Sequence, residues 1–357
     1  MQPTDNDLFE NEDSYLIFLL SLARITFLSY KEKIFLAKNL DSYNKLALLS
    51  IEEISKLIGR SIKTRAEWDG TENLRLARLA LHYCKAYDIR ILSCFEQAYP
   101  ELLRQISNPP FVLFCRGNIS LLCERSVSVV GTRRLTPQGK KAAQTFSYDA
   151  VMDGCTVVSG LAHGADSNAH LGAVNAFYDA EEKCLDTRKI GRTIAVLPSS
   201  IDEIVPSANK KLAEKILSTG GCIISEYEPR MTITNWHFVG RNRIIAGLSP
   251  ATVVIEAPCG SGALITADFA LDYGRDVLFH EVAFTELAER VSANVKEELE
   301  KKASLKNVSK YKMENSPQKF IETGAPIIKS YSDYCKKLHE APGTSSVHPL
   351  QRELFDN

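Results

Sequence analysis

No two of the nine cysteines, at positions 84, 94, 115, 123, 155, 184, 222, 259 and 335, stand in a Cys-x-x-Cys pair. Neither a zinc ribbon nor a disulfide framework is therefore encoded, and reduced thiols are the expectation. Long apolar runs are also lacking. The first one, Tyr15 to Ala23, is too short to span a bilayer. It follows Asp5, Asp7, Glu10, Glu12 and Asp13, where a secretory leader carries positive charge. A cytoplasmic protein without membrane insertion is expected. Charge of one sign is missing as well: 43 Lys and Arg face 44 Asp and Glu, for a net charge of −1. This excludes a globally basic nucleic-acid coat, so any nucleic-acid site must be a local patch. There is no full G-x-G-x-x-G, no internal repeat and no long low-complexity tract. No serine or cysteine nucleophile accompanies His163 or His170, and no acid and base stand at a fixed spacing. An enzyme is not expected, and neither a cofactor nor a metal is implied.

What is present suits a folded chain of more than one unit. At 357 residues, 45% of them hydrophobic, the chain exceeds the size at which single cores stop growing. Segments 14–28, 31–39, 51–58 and 72–87 carry apolar residues at helical spacing, which predicts a small helical domain over 14–97 after an acidic, disordered start at 1–13. Residues 98–125, with prolines and the strand-like FVLFC, read as a connector packed on the next domain. From Ser126 onward, short β-branched runs (126–130, 155–158, 192–197, 222–225, 251–256 and 276–279) alternate with helical segments near 136–151, 166–178, 207–219, 239–247 and 262–273. Such alternation predicts an α/β domain over 126–340, a doubly wound, mainly parallel sheet covered on both faces. A Glu- and Lys-rich insertion at 284–320 breaks the rhythm. A strand at 325–328 and a helix near 331–339 follow, and the tail 341–357 reads as disordered.

In such a sheet, ligands bind where strand carboxyl ends meet helix starts. The stretch His237 to Val277 is the most informative in that respect. Arg241-Asn242-Arg243 precedes an apolar run, and the strand 251–256 then ends in Gly260-Ser261-Gly262 and opens onto a helix. Free backbone N–H groups and the positive end of the helix dipole would converge there on an anion. Guanidinium donors match phosphate oxygens two at a time, so the anion should be a phosphate. The first strand ends in Gly131-Thr132-Arg133-Arg134, with Lys140 and Lys141 in the next helix. The second ends in Ser159-Gly160, with His163, Gly164 and His170 at the opening and Asp166 or Ser167 as a helix cap. The third leads to Asp202, Pro206, a capping Ser207, Asn209 and Lys210 or Lys211. Convergence of these ends on one sheet edge is the expectation.

The strings SVVGTRRLTPQG, SGLAHGADSNAH, AVLPSSIDEIVPSANKKL, GCIISEYEP, GRNRIIAGLSPATVVIEA and SGALITADFALDYGRDV, with YPELLRQISNPPFVLFCRGN upstream, resemble the DNA-processing protein A family (DprA, also called Smf). The resemblance is strong over 98–280 and weak in the helical region. It implies a Rossmann-like fold preceded by a small, SAM-like helical domain. It also implies a cytoplasmic protein that binds single-stranded DNA, forms a homodimer, with 262–279 as a candidate face, and helps load the RecA recombinase on incoming DNA in natural transformation. By position, Arg133 matches the family's Gly-x-Arg arginine, the principal DNA contact the resemblance implies. Arg241, Asn242 and Arg243 match its Arg-Asn-Arg motif, and Ser261-Gly262 its Ser-Gly turn. The chain departs from the pattern at His163 (arginine in the family), at Pro198, Ser199 and Ser200 (glycines) and at Gly260 (lysine). The Pro-Gly turn after Phe279 is not in the sequence, and an appended winged-helix-like domain is not expected. The expected DNA- or phosphate-binding set is therefore Gly131, Thr132, Arg133, Arg134, Ser159, Gly160, His163, Gly164, Asp166, Asn209, Lys210, Arg241, Asn242, Arg243, Ser261 and Gly262. Tyr227, Trp236 and Phe238 are candidates for stacking on bases, or for the core. Two other functions compete: a nucleotide-hydrolysing enzyme or nucleotide sensor with Glu256 as base, and an interaction protein whose pocket is vestigial.

Overall fold

A computed structural model of the chain describes residues 12–40, 42–64, 67–303 and 314–338. Five helices come first: α1 (Glu12–Ala23), α2 (Tyr30–Asn39), α3 (Tyr43–Leu48), α4 (Ile51–Ile58) and α5 (Gly70–Ala86). Their starts are set by side chains that accept the first free N–H groups. Ser29 and Ser50 form capping boxes with Glu32 and Glu53, and Ser42 and Asp69 cap α3 and α5. Helix α1 ends at Ala23, five residues before the expected end at 28, because the chain must turn to present Ser29 as the cap of α2.

Among the described residues nine strands form one sheet, in the order β1-β2-β6-β5-β4-β3-β7-β8-β9. The parallel part holds β3 (Ser126–Val130), β4 (Thr156–Ser159), β5 (Thr193–Val196), β6 (Cys222–Ser225), β7 (Ala251–Val254), β8 (Asp276–His280) and β9 (Ile327–Ile328). Strands β3 to β7 are buried along their whole length, as a sheet covered on both faces requires. Their apolar runs carry the expectation of a doubly wound α/β sheet. The remaining strands correct the expected organisation. β1 (Arg90–Ser93) lies inside the stretch assigned to the helical domain, and β2 (Val112–Gly117) inside the stretch assigned to a connector. Both join the same sheet antiparallel, β2 pairing with β1 on one side and with β6 on the other. One continuous apolar cluster runs from Phe18 and Leu36 of the helices through Leu113 of β2 to Ile223 of β6.

The crossover helices are α7 (Pro137–Met152), α8 (Ala165–Glu182), α9 (Lys210–Ser218), α10 (Asn235–Leu248) and α11 (Gly262–Asp272), with the short α6 (Glu101–Arg104) before β2. Helices α7 and α8, with the closing helix Tyr331–Lys337, cover one face through Phe146, Ala173 and Tyr334. Helices α10 and α11 cover the other through Ile244, Ile245 and Leu264. Helix α10 starts at Asn235, four residues earlier than its periodicity indicates, because Thr234 and His237 form a reciprocal cap. Ser207 opens a 3-10 turn, Ser207–Asn209, instead of capping α9. Within the 284–320 insertion, α12 (Glu286–Ala303) and the helix Pro317–Glu322 are formed. Of the start expected to be disordered at 1–13, Glu12 and Asp13 form the first turn of α1, and its remaining residues, the expected disordered tail 341–357 and residues 304–313 of the insertion lie outside the described residues. No helix among the described residues is long and apolar enough to cross a membrane.

Phe146 meets Tyr331 and Tyr334 edge-on, at 5.6 and 5.8 Å between ring centroids. Phe146→Ala should therefore lower unfolding stability by about 3–5 kcal/mol in chemical denaturation. An unchanged midpoint would mean that the closing helix does not seal this face.

Candidate nucleic-acid interface

The carboxyl ends of β3, β4, β5 and β7 meet the starts of α7, α8, α9 and α11 on one edge. Strand order reverses between β3 and β7, the position where open α/β sheets leave a crevice. Thr132 closes it from inside: its N–H donates to the Glu256 carbonyl at 2.6 Å, and its own carbonyl accepts from Ala165 N–H at 3.1 Å. Gly164, with φ +81°, lets α8 approach this closely, since a Cβ there would lie 2.2 Å from the Thr132 oxygen. Arg133 and Arg134 follow and are exposed. The Arg133 guanidinium stands over the Phe238 ring, 5.5 Å from its centroid. His163, on the loop after β4, and Lys210, the first residue of α9, are exposed too.

The other expected phosphate ligands are committed inside the protein. Arg241 is 4% exposed and donates through Nη1 to the carbonyls of Gly160 and Val196, at the ends of β4 and β5. Gly160 has no Cβ to spare: one would fall 2.1 Å from that nitrogen. Asp166 is buried opposite. Burial pushes its carboxyl up, against the pull of the Arg241 charge and a hydrogen bond from Ala162 N–H. It occupies the first turn of α8 and does not cap it, Gly164 standing at the cap. Arg243, 8% exposed, pairs with Glu226 at 2.6 Å. Burial works against its charge, but the Glu226 carboxylate holds its pKa above the ordinary arginine value. Asn242 donates to the Gly262 carbonyl at 3.2 Å, Ser159 Oγ to Val129 at 2.6 Å and Asn209 to Leu161 at 2.8 Å. These six side chains, read from sequence as DNA contacts, are partnered within the protein at the strand ends, where a buried polar group without a partner costs about 1–3 kcal/mol.

The N–H groups of the expected anion turn have partners within the protein too. Cys259 N–H donates to Ser292 Oγ of α12 at 3.3 Å, and Gly260 N–H to the Asn315 carbonyl at 2.9 Å. Ser261 N–H bonds Pro258, and Ser261 Oγ accepts from Ala263 N–H. The N–H donors of 259–261 that should meet a phosphate are thus taken by the insertion and by the turn itself. Glu256, the candidate base, is buried and accepts both the N–H and the hydroxyl of Thr136 at the start of α7, a capping role. The two histidines do not converge: His163 is exposed, while His170 is fully buried with Nδ1 2.7 Å from Thr193 Oγ1. Of the stacking candidates, Tyr227 lies against His237, 3.9 Å between centroids, and Trp236 is 82% exposed. Sequence reasoning missed Glu226, Ser292 and Asn315, the partners that take these groups out of solvent. Nothing in their local sequence marks them.

The fold and this edge define a doubly wound α/β protein with exposed side-chain cations along its carboxyl edge. A family model described as DNA recombination-mediator protein A matches residues 90–339. The chain belongs to that family. It is 35% identical to Protein Smf of Borreliella burgdorferi over 266 residues, 74% of this chain and 79% of that protein. The crystal structure of DNA processing protein A from Streptococcus pneumoniae is similar over 98% of this chain and all of that one, at 26% identity and a TM-score of 0.66. That of DNA processing protein A from Helicobacter pylori, described for its single-stranded DNA binding mode, shares the fold over 70% of this chain and 95% of its own, at 24% identity and a TM-score of 0.51.

Burial, with Arg241 nearby, pushes His170 from its ordinary 6.5 down to about 3. The folded state thus favours the neutral ring. Its contribution is present above pH 6.5 and is lost as pH falls from there toward about 3. Unfolding free energy should fall through that window in the wild type and more gently in His170→Gln. Equal slopes for the two would remove His170 from the account.

Proposed function

We propose that this chain binds single-stranded DNA along the carboxyl edge of its sheet during DNA recombination, with Arg133 as the principal phosphate contact. The observation that carries the reading is the placement of Arg133: exposed, without an ion-pair partner among the described residues, and set over the half-buried ring of Phe238. A phosphate can meet the guanidinium while a base stacks against the exposed part of that ring. Arg134, Lys140, Lys141, Lys210 and His163 add exposed basic or titratable groups on the surrounding loops and helix starts. Family membership supports the same reading, since the Helicobacter pylori relative is described as binding single-stranded DNA. Transfer of the strand to RecA recombinase in natural transformation, and a homodimer using α11 and β8, complete the proposal. A cytoplasmic setting accords with it. The nucleotide-enzyme alternative loses support from Glu256, whose carboxylate is occupied by Thr136.

Fluorescence anisotropy with labelled oligothymidine over a range of salt concentrations tests this. The wild type should bind with log affinity falling as log salt rises. Arg133→Ala should bind about tenfold more weakly, with a salt slope shallower by about 0.7, the share of one single-strand phosphate. Absence of binding by the wild type at low salt would end the reading. Release of free base from nucleoside monophosphates would install the enzyme in its place.

A further inference from the structure

We propose that the groove between α5 and the loop after β6 is a second subsite, which takes a nucleotide of the bound strand through its base. The inference rests on the single-stranded DNA reading above and adds a place that none of the strand-end motifs indicates. The groove encloses about 440 Å³. Leu76, Leu79 and Tyr83 of α5 form one wall, and Pro229 and Met231 of the loop form the other. This is within the usual volume range of small-molecule sites and offers apolar faces on two sides.

The walls are tied to each other before any ligand arrives. Asp202 accepts the Arg230 N–H at 3.0 Å, and burial together with the charge of the same carboxylate pushes the pKa of the Tyr83 hydroxyl on α5 up. Glu228 pairs with Arg24 at the end of α1. Arg230 itself has φ +66°, an uncommon conformation for a residue with a side chain, and Asp202 holds it there. With Arg24 neutralised by Glu228, Arg230 supplies the free cation at the rim: it is exposed and has no ion-pair partner among the described residues. Apolar walls with one rim guanidinium suit a base inside and its phosphate outside. A purely apolar peptide side chain would leave the guanidinium unused. Nothing in the apolar walls reads a base edge, so the subsite should tolerate any sequence. Continuity favours the strand as occupant, because the same loop leads into α10 at Asn235, and Phe238 of that helix lies beneath Arg133.

Leu79 and Met231 are 45% and 36% exposed, so Leu79→Glu and Met231→Glu should fold, which matched thermal melts check. Anisotropy is measured with oligothymidines of increasing length. Both variants should match the wild type on the shortest oligonucleotides that bind and fall about tenfold behind on those long enough to reach the groove. Arg230→Ala should flatten the salt slope on the long ones only. Strands carrying 4-thiothymidine should crosslink to peptides spanning 76–83 or 228–231. Wild-type affinity for long strands in both glutamate variants, or crosslinks confined to other peptides, overturns the subsite and leaves the Arg133 site standing. If thymidine monophosphate alone binds and Leu79→Glu abolishes it, the occupant is a free nucleotide and the strand assignment is overturned. If the wild type binds no oligonucleotide of any length, the proposed function falls and the groove assignment with it.

Discussion

The buried guanidinium of Arg241 is the interaction on which the strand-end edge depends. Removing a guanidinium from water costs several kcal/mol unless hydrogen bonds and an opposite charge offset it. Here two strand-end carbonyls, Gly160 and Val196, accept from it, and Asp166 faces it from the first turn of α8. Four elements, β4, β5, α8 and α10, are thereby fixed at one point. Gly160 is needed because any side chain would displace the guanidinium. The exposed groups Arg133, His163 and Lys210 sit on loops and a helix start whose inner ends this cluster holds. Their spacing is thus set by a charge that never reaches solvent.

Helical geometry explains why the Arg-Asn-Arg string misleads as a list of ligands. At 3.6 residues per turn, side chains two positions apart diverge by about 200°. Arg241 and Arg243 therefore leave α10 on opposite sides, one toward β4 and β5, the other toward Glu226. Such a pair can share one phosphate pocket only from a loop. Sequence shows the residue types and their spacing but not that α10 is buried on every side from Arg241 to Leu248. The exposure of Arg133 at the edge is legible for the opposite reason. It follows a strand that must end at Gly131-Thr132, and residues just past a buried strand's end emerge at the edge.

The same distinction runs through the fold. Buried parallel strands are legible as continuous β-branched runs, and the central six fall within two residues of their expected bounds. β1 escaped because its four residues, Arg-Ile-Leu-Ser, are too few to show a period and sit directly after a helix. β2 was visible as a strand, but only pairing across the sheet shows that it belongs between β1 and β6. Helix α3, six residues long, offered a Ser42 cap but too little length for a periodic signal. At α10 the cap partner is His237, not the usual glutamate, so the start was placed late.

The charged insertion reaches the turn that opens α11. Sequence shows 284–320 as a charged interruption of the α/β rhythm, yet Ser292 and Asn315 come from it and take the N–H groups of Cys259 and Gly260. A backbone cradle at a helix start grips one phosphate at a fixed point, the arrangement nucleotide-binding sheets use. With that cradle filled, and no lysine at position 260, the available cations are side chains spread over several loops. Such cations are individually weak and strongly screened, but together they follow a chain of phosphates along its length. The insertion thus removes the feature that would favour a single nucleotide's phosphate, and what it leaves exposed suits a continuous strand.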